Sequence, residues 1–315
     1  MQDPFNQSRS IEHRLPNLGY GIGLRPCHTQ DLLRYQAGEK IGDHFAPDWL
    51  EVITENVMDD HGVNRRVLHQ IAESYPLVFH GVSLSVGSSE ALNIGYLNKL
   101  KQLCAEFSPV WISDHLCWTS FGGINSHDLL PMPLHQHSLS HLIARVNQIQ
   151  DFLGRRLILE NPSSYLHYLD SDMLEWEFLN SLCDATGAGI LLDINNIYVS
   201  AFNLGFNAND YIQGITPDHV VQIHLAGPQH CGTHIIDTHD SPVPEVVWQL
   251  YTQLIRRTGP ISCLLEWDAN IPEFHILLSE LAKARDVFPI SKSNTKIEAA
   301  VTIARHDKFS MRIAV

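Results

Sequence analysis

The chain has 315 residues, 44% of them hydrophobic and 18% charged, which is enough to bury the core of one large α/β domain. Its formal net charge of -14 weighs against a nucleic-acid backbone as partner, because phosphate binding relies on a basic surface. No run of about 18 apolar residues occurs, and the opening MQDPFNQSRSIEHRLPN lacks the apolar centre of a signal peptide, so a cytoplasmic protein without membrane association is expected.

After a short N-terminal extension (1–17), apolar, β-branched runs alternate with amphipathic ones. The pattern predicts strands at 19–24, 49–54, 77–85, 110–113, 157–159, 190–192, 220–224 and 263–265. Helical patterns fall between them at 64–73, 96–107, 139–152, 175–185, 244–257 and 273–284. Eight strands with intervening helices predict a closed TIM (β/α)8 barrel over 18–287 rather than an open sheet. The segments 117–137 and 227–244 are rich in Gly, His, Asp and Pro and read as long functional loops. From 288 the text becomes more basic and reads as a C-terminal extension. The six cysteines (Cys27, Cys104, Cys117, Cys183, Cys231, Cys263) form no CxxC pair, so buried, reduced thiols are expected.

Six of the strands end in residues that bind metals: His80, Asp114-His115, Glu160-Asn161, Asp193 through Asn196, His224 and Glu266. A parallel barrel places all these ends on one face. A single strand-end histidine is more often a satisfied core residue than a ligand. Carboxylates at apolar strand ends, however, are costly to bury unless paired or metal-bound, and no Lys or Arg adjoins these ends in sequence. Asp237 and His239 form an Asp-x-His unit thirteen and fifteen residues after His224, able to reach one ion from one extended segment. Imidazoles and carboxylates together suit Fe, Mn or Zn, and they are too many for a single ion.

The order His80, His115, Glu160, Asp193, His224, Asp237-x-His239, Glu266 resembles the metal barrels of the xylose-isomerase-like superfamily. Local wording narrows this: GYGIGL at 19–24, EVITEN at 51–56, HGVSLS at 80–85, SDHL at 113–116, ENPSSY at 160–165, LDINNIYVS at 192–200, IHLAG at 223–227 and EWD at 266–268. These resemble the multinuclear non-haem iron-dependent oxidases, the family of the methanobactin biosynthesis oxidase. The resemblance implies a barrel holding two to three irons, ferrous and ferric, that uses O2 to oxidise residues, commonly cysteines, of a ribosomally made precursor peptide, often with a separate peptide-recognition protein. It implies that His80, His115 and Glu160 hold one ion, that Glu160, Asp193, His224 and Glu266 hold a second with Glu160 bridging, and that Asn196, Asp237 and His239 hold the third. Asn196 stands where the apurinic-site endonucleases, another branch of the xylose-isomerase-like superfamily, carry His, which leans away from a zinc hydrolase. Glu55, Asn56, Asp114 and Asn161 are read as orienting residues around these ligands, with an alternative ligand role also open for Asp114. For Glu55 and Asn56 a helix cap and turn is the competing reading. His127, His135 and His137 are read as solvated or substrate-facing.

Two alternatives remain open at the level of sequence. A divalent-metal sugar isomerase or phosphodiester hydrolase would use the same barrel, yet the lysines at 40, 99, 101, 283, 292, 296 and 308 leave none at a strand's carboxyl end to polarise a sugar carbonyl. The other is a non-catalytic metal-binding scaffold.

Overall fold

The computed structural model describes residues 15–36, 45–59 and 62–288. The expected extensions 1–17 and 288–315 lie outside the described residues except for 15–17 and Phe288. Strands β1 (Tyr20–Gly23), β2 (Trp49–Ile53), β3 (Leu77–Gly81) and β4 (Ile112–His115) come first, then a hairpin of β5 (Trp118–Phe121) and β6 (Ile124–Leu130). β7 (Leu157–Glu160), β8 (Gly189–Asp193) and β9 (Val220–Leu225) follow, then a small hairpin of β10 (Gln229–His230) and β11 (Ile235–Ile236), and finally β12 (Ser262–Leu265). Eight of these strands, all parallel, close in the order β1-β12-β9-β8-β7-β4-β3-β2, the expected TIM barrel. Among the described residues, no helix is long and apolar enough to cross a membrane.

Among the described residues ten α-helices accompany the strands: α1 (Thr29–Gln36), α2 (Glu55–Met58), α3 (Val63–Ala72), α4 (Ile94–Phe107), α5 (Gln136–Leu153), α6 (Glu175–Thr186), α7 (Ile194–Leu204), α8 (Ala208–Gly214), α9 (Glu245–Thr258) and α10 (Phe274–Val287). Helices α1, α7 and α8 have no counterpart among the expected helical patterns, whereas α2 starts at Glu55, where a helix start is the competing reading. In α7 the sequence INNIYVSAFNL is rich in β-branched residues and Asn, which are mediocre helix formers. Asp193 overrides this by accepting the Asn196 backbone N–H at 2.6 Å, an N-cap, while Ile194, Ile197, Val199 and Ala201 are buried. Predicted strand 77–85 ends at Gly81, and predicted strand 110–113 runs instead over Ile112–His115, which brings His115 into the barrel wall. The two long loops contain the β5–β6 and β10–β11 hairpins. Cys27 and Cys231 are exposed, against the expectation of buried thiols; the other four are buried.

Side-chain alternation along each barrel strand produces two cores. One packs the outer faces of the strands against the helices, through residues such as Leu50, Phe79, Ile112, Leu159, Ile190 and Ile223. The other fills the barrel's interior floor with Leu18, Trp49, Val78, Trp111, Ile158, Leu191 and Leu264. A Cβ on Gly21 would collide with the Trp49 indole, so only glycine lets that ring lie across the floor. One or two steps further along the same strands the interior turns polar, with Glu51, His80, Ser113, Glu160, Asp193, Gln222 and His224 all buried. Sequence period thus converts an apolar floor into a polar chamber at the strand ends.

Candidate metal centre

Side chains from six barrel strands meet in this chamber. His80 Nε2 and His115 Nε2 lie 3.2 and 3.3 Å from Glu160 Oε2. His224 Nδ1 lies 2.9 Å from Glu266 Oε2, 3.6 Å from Glu160 Oε1 and 3.9 Å from Asp193 Oδ2. Ligand atoms of His80, His115 and Glu160 form one group within 4.8 Å of each other, and those of Glu160, Asp193, His224 and Glu266 form a second. Glu160 belongs to both and turns one oxygen toward each.

The expected third group is arranged less simply. His239 Nε2 is 2.7 Å from Asp237 Oδ1 and 4.0 Å from Asp193 Oδ2, and Asn195 Nδ2 donates to that same Asp237 oxygen at 2.7 Å. Asn196 donates its Nδ2–H to Asn161 O at 3.0 Å, which turns its Oδ1 the other way. His239 Nδ1 faces Glu266 Oε2 at 3.2 Å and Asp268 Oδ2 at 3.5 Å, so His239, Glu266 and Asp268 form a further ligand-rich set that sequence reading did not contain. Asp268 is itself paired with Arg25, whose Nε–H also donates to Trp267 O at 3.2 Å. The segment after β12, without a basic neighbour in sequence, therefore does have one in space, 243 residues away.

Glu160 Oε2, Asp193 Oδ2, Asn196 Oδ1, His224 Nδ1 and His239 Nε2 are buried without an aligned hydrogen bond. Orphaned buried polar atoms are rare, and five from one chamber call for a shared partner. All five can donate a lone pair, so the residues present fit divalent cations of the Fe, Mn or Zn type.

The other nitrogen of each imidazole is held by the protein. His80 Nδ1 pairs with Ser113 Oγ at 2.9 Å and His115 Nδ1 with Gly81 O at 3.2 Å, leaving both Nε2 atoms toward Glu160. Among the residues expected to orient the ligands, Asn161 takes part most directly. Its Nδ2 donates to Asp193 O at 3.0 Å and its Oδ1 accepts the Asp193 N–H at 2.9 Å, extending the β7–β8 ladder by one side chain. Asp114 accepts the N–H groups of His115 (2.8 Å) and Leu84 (3.1 Å). Glu55 accepts from Val82 N–H (3.0 Å) and Tyr96 O–H (2.7 Å), so both carboxylates hold the backbone beside His80 and His115. Asn56 is exposed on α2. His127 and His137 are exposed, and His135 caps α5 by accepting the Ser138 N–H.

Burial and mutual repulsion distribute the protons. Burial pushes the Asp193 carboxyl well above its usual range and raises Glu160 against the pull of His224 and His80. Burial lowers His80 and His115, leaving them neutral and able to donate lone pairs. For His224 and His239 burial is outweighed by nearby carboxylates, and both are raised well above the ordinary imidazole value. Glu266 lies well below its range because His224 and His239 together outweigh its burial. The raised pKa values of Glu160, Asp193, His224 and His239 mean that protons compete with cations for these atoms, and loading must expel those that are held. Metal affinity is expected to rise with pH, with protons released on loading. Co2+ titrations in two buffers of different ionisation enthalpy measure this; a pH-independent affinity would count against these residues as ligands.

Comparisons with known proteins identify the chain's family. The family model described as "RiPP precursor modification enzyme MbnB/TglH/ChrH" matches residues 19–288. A UPF0276 protein of Rhizorhabdus wittichii is 47% identical over 268 residues, covering 85% of this chain and 94% of its own. One from Caulobacter vibrioides is 45% identical over 269 residues, covering 85% and 93%. Among solved structures, endonuclease IV from Thermus thermophilus superposes with a TM-score of 0.54 at 13% identity, over 85% of this chain and 98% of that one. A D-psicose 3-epimerase crystallised in the presence of D-fructose gives 0.51 at 12% identity, over 89% and 93%. At such identities these structural likenesses speak to the barrel fold alone.

Proposed function

Because the chain belongs to the MbnB/TglH/ChrH family of RiPP precursor modification enzymes, we propose that it is a multinuclear iron-dependent oxidase that uses O2 to modify residues, with cysteine the expected target, of a ribosomally made precursor peptide. The observation that carries this reading is Glu160, one fully buried carboxylate shared by two ligand groups at the mouth of the barrel. His80, His115 and Glu160 would hold one ion, and Glu160, Asp193, His224 and Glu266 a second. Asn196, Asp237 and His239 would hold a third, with Asp268 and Arg25 fixing His239 from behind. Bound iron would supply the electrons that reduce O2 and the Lewis acidity that keeps a substrate thiol deprotonated.

The protein's own contribution is placement. The apolar floor closes the chamber from below, so reactants meet at the mouth. Side chains and backbone of the surrounding loops brace one another there: Tyr165 Oη accepts the Asp237 N–H at 2.9 Å, Tyr168 O–H donates to Pro131 O at 2.9 Å, and Ser171 Oγ accepts the Leu134 N–H at 3.0 Å. Exposed Tyr165, Leu166 and Leu169 on the loop after β7, with Phe121 and Ile124 at the β5–β6 turn, provide apolar surface suited to an extended peptide. A peptide-recognition protein would deliver that peptide.

The test is O2 uptake by the anaerobically iron-loaded protein, with a Cys-containing precursor encoded nearby and any adjacent recognition protein, read together with the peptide's mass. Two to three irons per chain and a peptide-dependent mass change are expected. Aldose isomerisation or cleavage of abasic DNA, lost on His224→Ala, would overturn the oxidase reading. Asn196→His is a finer probe: imidazole in place of an amide oxygen should tighten the third site and favour zinc, seen as a changed Zn:Fe ratio by elemental analysis. An unchanged ratio would remove Asn196 from the ligand set.

A further inference from the structure

His224 differs from the other three histidines of the chamber in turning Nδ1, rather than Nε2, toward the group it shares with Glu160 and Asp193. Its Nε2 points down into the barrel, where two buried polar side chains, Gln222 and Glu51, stand between the chamber and Trp111 of the apolar floor. Trp111 Nε1–H donates to Gln222 Oε1 at 2.7 Å. Indole is only a donor, so this bond fixes the Gln222 amide with its NH2 group facing upward. That NH2 donates to Glu51 Oε2 at 2.6 Å and comes within 2.8 Å of His224 Nε2. Glu51 Oε1 and Oε2 both lie 3.2 Å from the same His224 nitrogen.

Two neighbours thus ask opposite things of His224. Gln222 offers a proton to Nε2, which would place the ring's own proton on Nδ1 and spoil that atom as a ligand. Glu51 can only accept, which places the proton on Nε2 and frees the Nδ1 lone pair. We propose that Glu51 is the positioning residue that decides this contest, holding His224 as its Nε2–H tautomer so that Nδ1 faces Glu160, Asp193 and Glu266 as a ligand. A carboxylate behind a metal-bound imidazole also makes the ring a stronger donor. Glu51 touches neither substrate nor the ligand atoms and acts through His224.

The inference rests on the metal-centre reading above, and the experiment separates the two. Co2+ is titrated by absorbance into wild type, Glu51→Gln, and the exchange Glu51→Gln/Gln222→Glu, and histidine 15N spectra of the Zn2+-loaded proteins report the tautomer. Glu51→Gln is close in shape but supplies a second amide in place of the acceptor, and should weaken the tightest Co2+ binding about 10- to 100-fold while moving His224 toward Nδ1–H. The exchange returns a carboxylate to a position within reach of both Trp111 Nε1–H and His224 Nε2–H, and should restore both readouts. A purely structural role for Glu51 would not reverse on exchanging charge with its neighbour. Wild type that binds no Co2+ would sink the metal-centre reading itself. Wild-type binding with equal affinity in Glu51→Gln would sink only this inference. If Glu51→Gln does not fold, the wild-type spectrum decides, because an Nδ1–H His224 in the Zn2+-loaded protein overturns the proposal.

Discussion

Glu160→Ala is expected to abolish peptide-dependent O2 uptake and to remove more metal than any other single ligand substitution, because this carboxylate is common to both principal ligand groups. The metal-free variant should remain folded. In the metal-free protein Glu160 is a crowded group whose pKa is already raised by burial, so its removal relieves repulsion and leaves the floor and outer core untouched. The difference should appear on loading: metal at a hundredfold excess over Kd stabilises a binding-competent chain by about 2.7 kcal/mol, and the variant should lose most of that gain. Thermal unfolding with and without Fe2+ under anaerobic conditions, beside elemental analysis, measures both. Metal-free Glu160→Ala that is unfolded by circular dichroism would show the residue to be structural instead.

Gly227→Ala is expected to produce the second large effect, at a position with no ligand role. Gly227 follows β9, and a Cβ there would run into the backbone carbonyls of Ser241 and Pro242, which close the loop carrying Asp237 and His239. Backbone cannot rotate away as a side chain can. Overpacking of this kind costs about 1–3 kcal/mol, and relief by shifting the loop would displace His239. Lower stability should therefore accompany selective loss of the third ion, with the His80–His115–Glu160 group still loaded. Unchanged metal content together with unchanged urea unfolding would show that the loop absorbs the methyl without moving.

The barrel and most of its chamber were legible because the same physics writes both. A strand buried on both faces must be an apolar run, and a polar residue closing that run marks the strand end where a parallel barrel gathers its chemistry. His80, His115, Glu160, Asp193, His224 and Glu266 all follow that rule, and the structure brings them together. Glu51 does not follow it: placed mid-strand in WLEVI, it reads as an ordinary alternation, and its value depends on Gln222, 171 residues away. Arg25 and Asp268 escaped for the same reason, since their pairing spans 243 residues. Helix α7 was hidden because its sequence favours other conformations, and only the capping by Asp193 and the burial of one face make it helical. The β5–β6 hairpin turns on Gly122 and Gly123, both at positive φ, a signal present in the sequence but absorbed into a long loop.

The cross-bracing of the mouth bears on how such a protein changes specificity. Through Tyr165, Tyr168 and Ser171, the loop after β7 holds both the segment that follows the β5–β6 hairpin and the segment carrying Asp237. These three stretches behave as one collar rather than as interchangeable fingers. Transplanting a single loop from a relative would sever hydrogen bonds on either side and disturb a ligand at the far end of the collar. Moving all three stretches together would carry a new rim onto an unaltered floor, so diversification of substrate range in such barrels should proceed by coordinated replacement of neighbouring loops.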